Sequence, residues 1–508
     1  MSIPLSIILW LPAAGGLLAL LLPRIARPVA ILASVLAAAY SVLLVADFSS
    51  ATRGLQYVTD VSWIGALGIH YKLGVDGLNV FLILLTCVLF LASTIWASFE
   101  RREREGLFLF HLGLGQSAVL GALMAQDLAL FVAFFDLMLI PFFFLTGIWG
   151  TANRVQAVTK LVIYTLVGSL LMLAAAIATA VLSASQSGND LSFAFSDLQQ
   201  VRLSTGSQDW IFLFFAAAFL VKMPAFPLHG WMPDGYRSMP LPVLAVFSAV
   251  LSKVAAYGFL RIVLPLFPDA SAHFQDLLLL IALASILYGS VMAFTQTNAR
   301  LVLGYSSLAQ LGFIVLGIFS LTGQGAQGAL LQSFNHGLVV APAFFVVALL
   351  AQRAEGSEDI RKMGGLALRA PALATLFLVI AMANLAIPGS SNFAGEFLIL
   401  LGVFQTKLVF AIVASSGVAL AAVYTLRLFI RTMHNRKPET AESREITLRD
   451  GIILIPLVAA IVALAFYPQL PLKKSDGAIT SSVVRAQAAA GDTPPTTAER
   501  PTQEVPTP

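Results

Sequence analysis

The chain has 508 residues, 58% of them hydrophobic and only 11% charged, with a formal net charge of +4. A soluble domain carries about 25% charged residues, so this composition excludes a soluble globular protein and points to an all-α polytopic membrane protein. The small positive excess is then a topology signal and not a mark of nucleic-acid binding, and the lipid bilayer is the first partner.

A membrane span needs about 20 mostly apolar residues. About 14 segments satisfy this, near 3–23, 28–46, 78–98, 107–124, 128–148, 160–184, 210–228, 241–265, 275–294, 301–321, 326–352, 371–404, 408–431 and 451–468. No basic residue precedes the first span, and Arg24 and Arg27 follow it. That is the reverse of a signal peptide, so the span is expected to remain as an anchor. One set of alternate loops holds most of the basic residues, from Arg24 and Arg27 through Arg101, Arg102 and Arg104 to Arg361, Arg431 and Arg449. The other set holds Arg53, Lys72, Arg202 and Lys407. The positive-inside rule therefore places both termini on the outer, periplasmic side of a bacterial inner membrane. From Lys474 the composition turns to Ala, Thr, Pro and Gln, and a disordered tail over 474–508 is expected.

Cysteine-ligated clusters within the chain are excluded, because Cys87 is its single cysteine. The six histidines are scattered without metal-ligand spacing. Gly113-Leu-Gly115-Gln-Ser-Ala118 fits a loose dinucleotide pattern, but it lies inside a continuous apolar helix with no strand ahead of it and is set aside. No cofactor is expected in this chain.

Two spans are interrupted. The seventh runs into Lys222, then Pro224 and Pro227, and proline in a helix interior removes a backbone donor and clashes with the preceding turn. The twelfth is broken by IPGSSNFAGEF, Ile387 to Phe397. The two are five spans apart, an odd number, so they cross in opposite senses. Interrupted helices at equivalent positions are the mark of inverted repeats. An offset of 174 residues relates Lys222 to Glu396, Asp136 to Gln310 and Lys253 to Arg427. The expected organisation is three leading helices (1–106), a five-helix repeat of spans 4–8 (107–266), an inverted repeat of spans 9–13 (267–432), then a loop and helix 14 (433–473).

A charged side chain at the bilayer centre costs roughly 2.5–3.5 kcal/mol on insertion scales and is functional by default. Asp136, in FVAFFDLMLIPFFFL, has no charged neighbour in its run, and Lys222 and Lys253 flank the first break. The bland alternative for all three is a fixed structural ion pair. A lysine whose proton affinity depends on the position of a carboxylate is a proton switch. Glu396 lies just past the second break, where freed backbone groups call for water. His336, in QSFNHGL, suits a proton shuttle or a plain hydrogen-bonded helix contact. Tyr305, Ser306, Ser307 and Gln310 offer hydrogen-bonded links. Asp127, Lys160 and Arg261 are expected to be interfacial anchors, and His111 has no assigned part. Together these residues describe proton translocation.

GVDGLN (Gly74–Asn79), AQDLALF (Ala125–Phe131), VKMPAFPLHGWMPD (Val221–Asp234), LSKVAAYGFLR (Leu251–Arg261), GYSSLAQLGF (Gly304–Phe313), GALLQSFNHGL (Gly328–Leu338) and GEFLILLG (Gly395–Gly402) resemble the antiporter-like subunits of respiratory complex I, subunit M in particular. They run from the third span to the thirteenth. The resemblance implies a proton-pumping membrane subunit of NADH–quinone oxidoreductase, with L- and N-type subunits as partners. NADH, FMN, iron–sulfur clusters and quinone would sit on other subunits. It also implies a proton relay through Asp136, Lys222, Lys253, His336 and Glu396. Asp136 replaces the family's glutamate, which is one methylene longer. Gln310 stands where a histidine is common, and DGYRSMP (Asp234–Pro240) replaces DAHxEAP, removing an acidic residue on the uptake side. Glu396 is the subunit M choice where the sister subunits and the sodium/proton antiporters tend to have lysine. No long amphipathic helix is expected after the thirteenth span, unlike subunit L. A multisubunit cation/proton antiporter or a membrane-bound hydrogenase subunit is the alternative.

Overall fold

The computed structural model describes residues 4–52, 54–151, 153–436, 442 and 444–491. Fourteen spans follow in chain order. They are α1 (Leu5–Leu21), α2 (Ala26–Asp47), α3 (Val80–Phe99), α4 (Glu105–Met124), α5 (Leu128–Trp149) and α6 (Arg154–Ser187), then α7 in two pieces (Thr205–Lys222 and Met232–Ser238) and α8 (Leu241–Leu266). Next come α9 (Gln275–Thr295), α10 (Ala299–Ile318), α11 (Gly323–Arg353), α12 in two pieces (Pro371–Asn384 and Ser391–Thr406), α13 (Leu408–Met433) and α14 (Leu448–Phe466). Eleven described helices are long and apolar enough to cross a membrane, and α1 and the first half of α12 are shorter apolar helices. The most hydrophobic stretches of α8, α10 and α11 are wholly buried, whereas α2, α6, α13 and α14 turn most of theirs outward. This is what a helix hydrophobic all round does when it forms the centre of a bundle in lipid.

Local chemistry explains each break. Pro224 and Pro227 cannot continue α7 beyond Lys222. The Val221 carbonyl, freed there, accepts from the Trp231 indole N–H at 3.0 Å instead. In α12 the chain leaves the helix at Leu385, and Gly389 takes a φ of +92°, which favours glycine. Asn384 closes that gap by donating to the Ser306 and Thr425 hydroxyls, each at 3.1 Å. α5 is bent at Met138. Pro141 stands four residues after Leu137, so it removes the N–H that the Leu137 carbonyl would need and crowds that turn. α8 contains two wider π turns, Phe247–Leu251 and Phe259–Val263.

Two features depart from the sequence expectation. The α2–α3 connection folds into an antiparallel hairpin, β1 (Gln56–Ile64) with β2 (Ile69–Val75), so the fold is helical with one small sheet among the described residues. The second departure is at Lys474, where disorder is expected; the chain is instead helical in α15 (Gln469–Ala489). Ser475, Ile479, Ser482, Val483 and Ala486 recur at helical spacing and are all buried against the bundle. A stripe this narrow leaves the average composition polar, which is why composition alone suggests disorder. The rest of the expected tail, 492–508, lies outside the described residues.

Candidate functional site

Asp136 sits two residues before the α5 bend, and its Oδ1 is buried without a hydrogen-bond partner. Lys222 ends the first half of α7 and is buried. Its Nζ donates to the Phe135 carbonyl at 3.1 Å and lies 4.4 Å from the centroid of the Phe135 ring. The lysine thus contacts the residue before Asp136, and no ion pair joins the two side chains. A cation held by a carbonyl and a ring face is stabilised less than one meeting a carboxylate. The two side chains are therefore coupled only through space, and a movement of α5 or α7 would change that coupling.

Lys253 lies near the middle of α8, between its two π turns, and is 1% exposed. A π turn opens carbonyls to side-chain donors. Lys253 Nζ donates to the Ser248 carbonyl at 2.9 Å and to the Ser252 hydroxyl at 3.1 Å. His336, at mid-α11, is fully buried and has no hydrogen-bond partner on either ring nitrogen.

Glu396 lies in the second half of α12 and is 3% exposed. Gln332 of α11 links it to α10: its amide Nε2 donates to Gln310 Oε1 at 2.8 Å and to Glu396 Oε1 at 3.3 Å. Two glycines permit this closeness. A Cβ on Gly328 would stand 2.6 Å from the Ile399 nitrogen, and one on Gly395 would stand 3.0 Å from the Gln332 Cα. Small residues at such a crossing let two membrane helices touch backbone to backbone.

Three separate polar centres result: Asp136 with Lys222, Lys253 with His336, and Glu396 with Gln332 and Gln310. α8, α10, α11 and α12, which carry the second and third centres, together bury nine polar atoms without a partner. They are Ser248 Oγ, Ser307 Oγ, Gln332 Oε1, Asn335 Oδ1, both His336 ring nitrogens, Ser391 Oγ, and the Asn392 amide oxygen and nitrogen. At roughly 1–3 kcal/mol for each orphaned group, dry burial of all nine would cost roughly 10–25 kcal/mol. That is as much as the whole stability of a typical protein, about 5–15 kcal/mol. Buried polar groups of this kind call for partners that the chain itself does not supply here.

Several other expected positions resolve differently. Asp127 is no interfacial anchor: it is fully buried and caps α5, accepting from the Leu130 and His70 backbone N–H groups. Arg261 is likewise internal, pairing with Asp76 at 2.5 Å and donating to the Tyr257 hydroxyl at 3.0 Å. Lys160 pairs with Asp234 at 2.5 Å. His111 Nδ1 is bonded to the Leu107 carbonyl one turn back. The third pair on the 174-residue offset does not share an environment, for Lys253 is sealed while Arg427 is half-buried and donates to the Gln296 carbonyl. Gln332 was missed in the sequence, although its place four residues before His336 puts both on one face of α11. Among the described residues no group of three or more His, Cys, Asp or Glu could hold a metal ion.

A family model described as "NADH:quinone oxidoreductase/Mrp antiporter, TM" matches residues 125–421. The chain is 37% identical over 482 residues to NADH-quinone oxidoreductase subunit M of Rhodobacter capsulatus, covering 92% of this chain and 93% of that one. It is 35% identical over 428 residues to the subunit of the same name from Escherichia coli K12, covering 83% and 84%. Among solved structures, a chain of respiratory complex I from Thermus thermophilus superposes with a TM-score of 0.87 at 30% identity, over 96% of this chain and 100% of that one. A chain of the Mrp complex from Dietzia shares the fold, with a TM-score of 0.81 at 21% identity over 96% and 99%. The chain belongs to the NADH:quinone oxidoreductase/Mrp antiporter transmembrane family, on its subunit M branch.

Proposed function

We propose that this chain is the proton-translocating subunit M of an NADH–quinone oxidoreductase. The observation that carries the reading is the row of ionisable groups set in the spans, Lys222, Lys253, His336 and Glu396 buried and Asp136 half-buried, with unsatisfied polar atoms at its far end that water would fill. Quinone reduction on partner subunits displaces Asp136 relative to Lys222. When the carboxylate approaches, the ammonium form of Lys222 is favoured, and when it withdraws, the lysine releases its proton. Lys253 and His336 pass the proton through hydrated contacts to Glu396, which delivers it to the outer face. The two halves act as inverted repeats over 107–266 and 267–432, each gated at its own helix break. No redox centre resides in this chain: NADH, FMN, iron–sulfur clusters and quinone belong to other subunits, with L- and N-type antiporter-like subunits as membrane neighbours. Loop charge sets the chain in a bacterial inner membrane with both termini outside.

The decisive experiment is NADH-driven proton uptake by membrane vesicles carrying Lys222→Met or Glu396→Gln. Both variants are expected to assemble and to lose pumping. Normal uptake in both would overturn the reading, and sodium-dependent uptake without NADH would instead identify a cation/proton antiporter.

A further inference from the structure

The second π turn of α8, Phe259–Val263, poses a hydrogen-bonding problem. In a π turn each carbonyl accepts from the N–H five residues on, not four. The Leu264 N–H follows this pattern by donating to the Phe259 carbonyl. The next carbonyl, that of Leu260, would need residue 265, which is proline and has no N–H. Leu260 is 1% exposed, and buried backbone carbonyls are rarely left without a donor.

The missing donor comes from α15, 222 positions along the chain: the Ser482 hydroxyl donates to the Leu260 carbonyl. Ser482 is itself buried, between the buried Ile479, Val483 and Ala486. Further bonds fix α15 along its length. Lys474 Nζ donates to the Val45 and Phe48 carbonyls at the end of α2, each at 2.7 Å, and Arg485 donates to the Gln199 carbonyl at 2.6 Å. The residue after Leu260, Arg261, is held by Asp76 and Tyr257. The second π turn is therefore gripped from two sides. The first is not, and its Ser248 carbonyl accepts from Lys253 itself.

We infer that Ser482 is a positioning residue for proton transfer through Lys253, a conclusion that rests on the proton-relay reading above. Were the hydroxyl absent, the Leu264 N–H could swing to the Leu260 carbonyl and close an ordinary α turn. A shift of a π turn toward the α register tightens the helix and moves the residues on one side of it relative to the other. Arg261 is tethered, so the change of register falls on the side bearing Lys253 and displaces its ammonium, with the Ser248 carbonyl and Ser252 hydroxyl that hold it, within the bundle. Pro265 and Ser482 act together: proline denies the backbone donor, and serine supplies a replacement from a helix that reaches across the bundle.

The test uses the assembled complex in membrane vesicles, reading the initial rate of NADH-driven proton uptake. Ser482→Ala is expected to lower that rate by at least about threefold, since small misplacements of transferring groups are costly. Ser482→Thr, which keeps the hydroxyl, restores it. So does the double variant Ser482→Ala with Pro265→Ala, because residue 265 then provides the N–H that Leu260 needs. Unchanged uptake in Ser482→Ala overturns the inference, as does a loss that neither second variant restores, which would make Ser482 a packing residue only. If Ser482→Ala does not assemble, the double variant decides: assembly with pumping supports the inference, and failure overturns it. Lys222→Met and Glu396→Gln in parallel test the underlying relay by themselves, so normal pumping in both rejects that reading whatever Ser482 does.

Discussion

The two broken helices hold their charged groups in opposite ways. At the α7 break, Lys222 rests on a carbonyl and an aromatic ring, and Asp136 keeps an unsatisfied oxygen nearby without reaching it. At the α12 break, Glu396 is tied through Gln332 to Gln310, and the helices touch at Gly328 and Gly395. The first centre is loose because an aspartate is too short and α5 bends beside it. The second is tight because two side chains are missing altogether. A loose centre can respond to a small displacement, whereas a tight one holds a carboxyl group in fixed geometry. In the proposed relay the pair would serve as an input that moves and an output that does not.

The strongest way to break this contrast is to loosen the tight centre. Gly328→Ala would place a Cβ 2.6 Å from the Ile399 nitrogen and 2.8 Å from the Gly395 carbonyl oxygen, both backbone atoms that cannot swing aside. The helices must part, and a misplacement on the order of 1 Å can cost about a hundredfold in rate. Proton uptake in vesicles is expected to fall by about that factor, with a lower melting temperature of the purified complex. Uptake within threefold of the parent would show that the Glu396 clamp is not needed.

The loose centre is tested by charge against contact. Asp136→Asn removes the charge and is expected to lower uptake about tenfold, roughly the effect of 1.4 kcal/mol on a barrier. Asp136→Glu keeps the charge, adds the methylene and should stay within about threefold, the span of a modest change in ion-pair geometry. Equal losses in the two variants would mean that fit, not charge, is what Asp136 contributes.

Much of this was legible in the residues. Both breaks follow from proline and glycine acting on their own turns, and buried lysines and carboxylates stand out in apolar runs. What could not be read locally depends on surfaces brought together by folding. α15 is polar on average, and only the bundle explains why Ile479, Val483 and Ala486 are buried. The Ser482–Leu260 bond spans 222 positions, and the need for it arises from a π register that no hydrophobic period reveals. The hairpin β1–β2 lies between long apolar spans that dominate the hydropathy pattern. Nor does the presence of Asp136 and Lys222 show that they fall short of contact, because the Pro141 bend and one methylene decide that.

The smallest expected effect sharpens the contrast from the other side. Gln310 accepts from Gln332, which also donates to Glu396, so the clamp consists of neutral amides around one carboxyl group. An amide can hold the carboxyl group in place but cannot carry a proton between neighbours at neutral pH. Gln310→His puts at that position a ring that can take up and release a proton. If Glu396 already receives its proton through water, the variant should pump within about twofold of the parent at pH 8, where the ring is neutral and accepts from Gln332 much as the amide did. A variant that instead pumps several times faster at every pH would show that Gln310 is a gap in the relay, and that the second centre is limited by proton carriage and not by its geometry.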